Sequence, residues 1–370
     1  MIYSITATSV IFISFFVTAY FFQKVNFLPQ ITTSSIGKRY YFIDGLRGIA
    51  AISVVVGHSW RLGVKGFNLN DYSINSASLI AALGVQIFFC ITGFLFVDQI
   101  IKKKSTFDWE KFFLSRIKRL TPLFFFSTTI CLMILYTVNF DKLRDLSLDD
   151  IGNSLKLYLF GFSGNQKILG MDSNVLTIMT WTLPYEWRFY MALPLFCVLT
   201  KIIKFHSPVL FLLLFIFVFF PVCGSHFGKY FFTGCLSAVL FNKYEIKNNS
   251  TRIIVFLLGN ASLIGSFFIN GDYYGNTIFI FISVFFLSLV VSKPVFLSNK
   301  LFIYCGETSY SIYLCHTIFI VGVSYLVYLL FGVTDVNSYT SILIYSISAL
   351  LIAVFSFFSY KYIEYPFLKK

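Results

Sequence analysis

The sequence predicts an all-α polytopic membrane protein, with about eleven transmembrane helices packed in one bundle. Three observations predict it. Hydrophobic residues make up 57% of the 370 and charged residues only 12%, with a mean hydropathy of +0.79; a soluble domain carries about 25% charge. The chain also divides into apolar runs of about 20 residues, the length that crosses a bilayer. Finally, Lys and Arg crowd into every second segment between those runs. The composition excludes a soluble enzyme, a disordered chain and a secreted disulfide scaffold. The net charge of +13 marks no nucleic-acid partner, because the basic residues lie between apolar runs and form no solvated face.

The expected spans are 3–22, 43–60, 78–101, 120–139, 181–203, 208–222, 229–241, 251–270, 276–292, 308–331 and 338–360. The first lacks a basic start and is followed by Lys24, the reverse of a cleaved signal peptide. The seventh is too short to cross unaided. Twenty Lys and Arg fall in one set of connecting segments and seven in the alternate set. The richer set belongs inside, which puts the N-terminus outside and the C-terminus in the cytoplasm. One membrane domain fills 1–370: an extra N-terminal helix and linker over 1–40, a main external loop over 140–180, and a cytoplasmic tail over 361–370. Within the loop, Leu146 to Phe160 reads as a short helix. The seven cysteines are scattered through apolar segments without CxxC spacing, so neither a metal site nor a disulfide is expected.

An ionisable residue at the bilayer centre costs about 2.5–3.5 kcal/mol on insertion scales, so each one calls for a reason. The second span opens Asp44-Gly45-Leu46-Arg47 and carries His58. Eleven residues are three helical turns, so Arg47 and His58 share a face about 16 Å apart. Asp44 and Arg47 are an i, i+3 pair able to neutralise each other. The group reads equally as an anchoring ion pair with a structural histidine, or as a functional pair. In the third span Gly84, Gln86, Thr92 and Gly93 suit a close helix contact.

The basic segment after it ends Arg116-Ile117-Lys118-Arg119-Leu120-Thr121-Pro122. It reads either as a topology and headgroup signal, or as a phosphate site in which Arg116 and Arg119, at i, i+3, fork onto a pyrophosphate. The fifth span begins Trp181-Thr182-Leu183-Pro184-Tyr185-Glu186-Trp187-Arg188-Phe189-Tyr190. It enters from outside, so Glu186 lies in the outer half, where His58 is also expected. Either the two meet and the carboxylate prepares the histidine as a general base, or Glu186 pairs with Arg188. In the tenth span Ser309, Tyr313 and His316 form one stripe, which faces protein or a watery cavity. His206 and His226 lie in loops and carry no expected role.

Asp44-Gly45-Leu46-Arg47 with His58, Gly84-Val85 with Phe88-Phe89 and Gly93-Phe94, and Arg116 and Arg119 before Pro122 resemble the acyltransferase family 3 membrane proteins. So do Trp181 to Tyr190, Ser309-Tyr310 to His316 and the closing Glu364-Tyr365-Pro366. The motifs run in the family's order from about residue 40 to the end. The resemblance implies transfer of an acyl group, usually acetyl, from cytoplasmic acyl-CoA to a sugar hydroxyl of a bacterial surface glycan. It implies His58 as essential base or acyl relay, Arg47 as its companion, and Arg116, Lys118 and Arg119 as the basic site for coenzyme A. Tyr313 and His316 join the donor-binding set and Glu186 the catalytic set. Acetyl-CoA would be the donor substrate with no metal, and a lipid-linked glycan the acceptor, O-antigen favoured. Two departures stand out: the span at 3–22 precedes the usual start, and no C-terminal extracytoplasmic esterase-like domain follows, so transfer would be direct or through a separate partner. The rival expectations are a flippase for lipid-linked sugars and a polysaccharide polymerase.

Overall fold

A computed structural model describes residues 2–28, 39–59, 74–103, 106–202, 225–269, 272–332 and 338–368. The expected span 208–222 lies outside them. The described chain is helical apart from one hairpin of two-residue strands. The helices are α1 (Ile2–Lys24), α2 (Tyr41–His58), α3 (Ile74–Lys103), α4 (Trp109–Val138), α5 (Leu148–Lys156), α6 (Leu183–Ile202) and α7 (Ser225–Lys243), followed by α8 (Asn249–Gly265), α9 (Asn276–Ser292), α10 (Lys300–Glu307), α11 (Ser309–Phe331) and α12 (Ser338–Ser359). A π-helical turn (Tyr360–Glu364) and a last turn (Tyr365–Leu368) end the described chain.

Seven of these helices are long and apolar enough to cross a membrane: Ile5–Lys24, Tyr41–His58, Ser78–Lys103, Trp109–Val138, Asn249–Phe268, Ser309–Phe331 and Ile342–Leu368. The expected eleven is therefore not reached among the described residues. Two further expected spans are helices that carry charge: α6 contains Glu186, Arg188 and Lys201, and α7 contains Lys229 and Lys243. A third, α9, is apolar but short. The fourth helix also begins eleven residues before the expected start at 120, so Arg116, Lys118 and Arg119 are helical. The expected start followed the apolar run alone; the Asp108 side chain accepts from the Lys111 backbone N–H at 2.9 Å and caps the earlier turns.

The chain forms two compact units, Met1–Ala81 with Leu114–Pro184 and Asn299–Lys370, and Ala82–Phe113 with Tyr185–Ser298. In the first, α2 packs on α10 and α11, and α1 on α12. The α2–α10 crossing is close because both helices offer glycine. A Cβ on Gly306 would sit 2.0 Å from the Asp44 carbonyl oxygen, and one on Gly48 would sit 2.8 Å from Cys305 Cβ. Small residues let membrane helices touch backbone to backbone, and here they bring Asp44 and Arg47 onto the end of α10.

The segment 140–180 folds back on this unit. Ser147 and Asp150 form a capping box at the start of α5. Asp150 also accepts from the Leu169 N–H at 2.8 Å, which ties α5 to the hairpin of β1 (Lys167–Ile168) and β2 (Met171–Asp172). These hydrogen bonds, Ser147's first, hold the Asp150 carboxyl below its ordinary range. Leu157, Ile168, Leu169 and Leu176 pack on Cys131, Leu132 and Leu135 of α4 and on Ile318 and Val321 of α11. The short helix expected within 146–160 is present, with Ser154 buried and Leu148, Ile151 and Leu155 exposed.

In the second unit, α3 and α7 repeat the glycine device. A Cβ on Gly93 would lie 2.3 Å from the Phe231 carbonyl oxygen, and one on Gly234 2.0 Å from that of Cys90. The close contact expected for the third span is thus made through Gly93. The Gln86 amide donates to the Tyr273 carbonyl at 2.7 Å. Buried Asp98 accepts from Asn242 at 2.8 Å and pairs with Lys102 at 3.1 Å.

Candidate functional site

The two ends of α2 each carry a cluster of polar side chains in the first unit. At its start, Arg47 directs Nε and Nη2 onto one acceptor, the Gly306 carbonyl oxygen, at 3.0 and 2.8 Å. The expected ion pair with Asp44 is made at 3.3 Å. Arg39 completes the group by pairing with Asp44 at 2.5 Å and with Glu307. Tyr360 donates to the other Glu307 oxygen at 2.5 Å. Asp44 and Glu307 are buried, and burying a charge is tolerable only when it is paired and hydrogen-bonded.

Glu364 lies beside this group with no exposed surface. It accepts from the Ser311 hydroxyl, which itself accepts from Ser359 at 2.8 Å. The π-helical turn Tyr360–Glu364 delivers both Tyr360 and Glu364 to the cluster, a placement common for such turns at functional sites. Arg119 acts electrostatically on both Arg47 and Glu364. One of the two arginines expected to grip phosphate therefore lies near enough to repel Arg47 and attract Glu364. Arg116 is half-buried and directs its guanidinium to Ser115 Oγ at 3.3 Å, and Lys118 is half-buried on the same helix.

At the other end, His58 is the last residue of α2. Its Nδ1 stands 2.9 Å from His316 Nε2, with the ring centroids 5.0 Å apart and the rings 28° from parallel. His316 has no exposed surface, and its Nδ1 lies 2.8 Å from the Tyr313 carbonyl oxygen and 3.2 Å from that of Ile312. His316 is the eighth residue of the 23 in α11. The pair thus joins the last residue of α2 to a point a third of the way along α11 from its start.

Of the expected donor-binding residues, His316 thus stands against His58. Tyr313 bonds the Thr182 hydroxyl at 2.7 Å and donates to the Met179 carbonyl at 3.1 Å. With Thr317, which donates to the Leu176 carbonyl at 2.6 Å, it fastens 176–182 to α11. Glu186 belongs to the second unit, where it accepts from Tyr190 at 2.9 Å. Sequence reasoning missed Arg39, Glu307, Tyr360 and Ser311 as members of the polar cluster. The one available signal was that Glu307 and Glu364 are carboxylates beside long apolar runs.

These elements define a helical membrane protein with a paired-histidine site at one end of a helix and a buried arginine–carboxylate cluster at the other. The model of the acyltransferase domain family, acyltransferase family 3, matches residues 40–361, and the chain belongs to that family. Curated relatives include O-acetyltransferase OatA of Staphylococcus aureus strain NCTC 8325, 28% identical over 374 residues that cover 89% of this chain and 57% of that protein. OatA of strain MRSA252 matches to the same extent. Another S. aureus protein, from strain COL, is 26% identical over 381 residues, 90% of this chain and 58% of that protein. The chain spans somewhat over half the length of these relatives. No solved structure matches it.

Proposed function

We propose that the protein transfers an acetyl group from cytoplasmic acetyl-CoA to a sugar hydroxyl of a bacterial surface glycan, with His58 as general base. The observation that carries this reading is the layout of α2. Its Arg47 end is electrostatically coupled to Arg119, and its His58 end lies three turns away, about 16 Å along the axis. A pantetheine arm has backbone atoms equivalent to roughly four residues of extended chain at about 3.5 Å each, about 14 Å in all, and the pyrophosphate bonded to it supplies the remaining reach.

Arg119, Arg116 and Lys118 receive the coenzyme A phosphates at the basic end. Arg47, already bound to Gly306 and Asp44, orders that end. The thioester then reaches the histidines, where the acceptor hydroxyl gives up its proton as its oxygen attacks the carbonyl. Membership of an acyltransferase family and likeness to proteins named O-acetyltransferases support acyl transfer over flipping or polymerisation. The acceptor we favour is a lipid-linked O-antigen sugar, in line with a membrane-embedded site. The 20 to 7 basic asymmetry supports placement in the bacterial cytoplasmic membrane with the N-terminus outside and the C-terminus inside.

Two experiments test the reading. Membranes with and without the protein are incubated with radiolabelled acetyl-CoA; label should appear on extracted glycan only when the protein is present, and equal labelling rejects acyl transfer. In intact cells, an impermeant thiol reagent should modify a cysteine replacing Asp149 and spare one replacing Lys103. The opposite pattern inverts the topology.

A further inference from the structure

We infer that His316 is the positioning residue of the transfer site: it sets which nitrogen of His58 acts as base and shares the charge that His58 gains. The inference rests on the acyl-transfer reading above. It starts from groups whose hydrogen-bonding role is fixed. Backbone carbonyls only accept, so His316 Nδ1, 2.8 Å from the Tyr313 oxygen and 3.2 Å from the Ile312 oxygen, carries a hydrogen. In a neutral imidazole the other nitrogen then holds the lone pair. His58 Nδ1, 2.9 Å from His316 Nε2, must donate to it. The lone pair of His58 therefore falls on Nε2, and that is the nitrogen that takes the acceptor's proton.

The chain of donors runs from His58 Nδ1 to His316 Nε2, and from His316 Nδ1 to two carbonyls of the same helix. Those carbonyls are three and four residues before His316, so α11 itself orients the ring. A carboxylate does this work in many hydrolase triads. Here the partner is an imidazole with no exposed surface, which spares the large desolvation cost of an ionised carboxylate at the same place.

The step balances without any further reactant. The sugar O–H proton passes to His58 Nε2 while the oxygen forms a C–O bond to the acetyl carbonyl. The C–S bond breaks, and the sulfur leaves with the electron pair. The thiolate then recovers the proton from His58 Nε2, giving the acetyl ester and free coenzyme A. Between those moments His58 is an imidazolium whose Nδ1–H faces His316 Nε2, a charge-assisted hydrogen bond. His58 also occupies the last turn of α2, where the helix carbonyls favour positive charge.

The test uses purified, folded full-length protein, radiolabelled acetyl-CoA and glycan extracted from the host membrane. His316→Leu fills the space of the ring but accepts nothing. Its kcat should fall about 10²-fold or more, as for a mis-set catalytic histidine, with KM for acetyl-CoA unchanged. His316→Gln places an oxygen near the position of Nε2 and should restore kcat to within about tenfold of the parent. If His316→Leu does not accumulate as folded protein, His316→Asn, whose amide ends short of His58, should show the same kcat loss. Turnover in His316→Leu or His316→Asn within threefold of the parent overturns the inference. So does an equal loss in His316→Gln, or a KM that rises in step with the loss. Absence of transfer by the parent itself rejects the acyl-transfer reading instead.

Discussion

The two ends of α2 are both polar and both sunk in the first unit, yet they are built to opposite purposes. At the Arg47 end Arg47 bonds Gly306 and Asp44, Arg39 pairs with Asp44 and Glu307, and Tyr360 donates to Glu307. At the His58 end two imidazoles face each other, and His316 reaches on to the backbone carbonyls of Tyr313 and Ile312. A closed ion network resists change, because altering one member strands another in a medium that solvates poorly. An imidazole pair accepts and returns a proton without breaking a salt bridge. The comparison teaches that buried, paired charge here suits a scaffold, while facing imidazoles suit the place where, on the proposed reading, bonds change.

Breaking the closed end should therefore produce the largest effects, and on folding rather than turnover. Asp44→Ala leaves Arg39 and Arg47 short of a counter-ion, and removing one member of a buried pair costs about 3–5 kcal/mol. The yield of folded protein and its melting temperature in detergent should both drop sharply. Gly306→Val should act alike, because a Cβ there meets the Asp44 carbonyl oxygen at 2.0 Å and backbone cannot give way cheaply. Normal folding of either variant would dissolve the contrast.

The donor arginines should show an intermediate effect that separates them from the core of the cluster. Arg116→Gln with Arg119→Gln should fold but bind acetyl-CoA weakly, since each charge-assisted hydrogen bond contributes on the order of 1.5–3 kcal/mol. Arg119→Gln alone should weaken binding more than Arg116→Gln alone, because Arg119 is the one coupled to Arg47 and Glu364. Isothermal titration with acetyl-CoA measures both, and unchanged affinity returns these residues to a topology signal.

The smallest effect belongs to Asp150 of the 140–180 segment, whose carboxyl accepts from Ser147 and from the Leu169 N–H. The Asp150 carboxyl is held low, so its contribution to loop order is complete above the ordinary Asp range and fades as pH falls through its lowered value. Asp150→Asn removes that dependence. Proteolysis of the loop across acidic pH should quicken for the parent and be fast and flat for the variant, with transfer at neutral pH little altered.

Local rules in the sequence made part of this visible. The Asp44–Arg47 pair follows from helical spacing and is present; the short loop helix and the close packing at Gly93 follow from patterning and small residues. The start of α4 was hidden because Trp109 to Arg119 is amphipathic, and an apolar run begins only at 120. The helix count was blurred by charged helices such as α6 and α7. Most of the site was hidden by distance along the chain: His58 meets His316 across 258 residues, and Glu307 meets Tyr360 across 53. Periodicity assigns a residue to a face, and the packing of α2 on α10 and α11 then decides what that face meets.

The central claim is that His58 changes bonds while the rest of α2 holds the fold and the donor end. The direct measurement is the transfer rate of His58→Ala, normalised to folded detergent-solubilised protein, alongside its affinity for acetyl-CoA. The variant should fold and bind donor as the parent does, yet lose transfer by about 10²–10⁴, the usual cost of removing a general base. Turnover near the parental rate in folded His58→Ala would contradict the account.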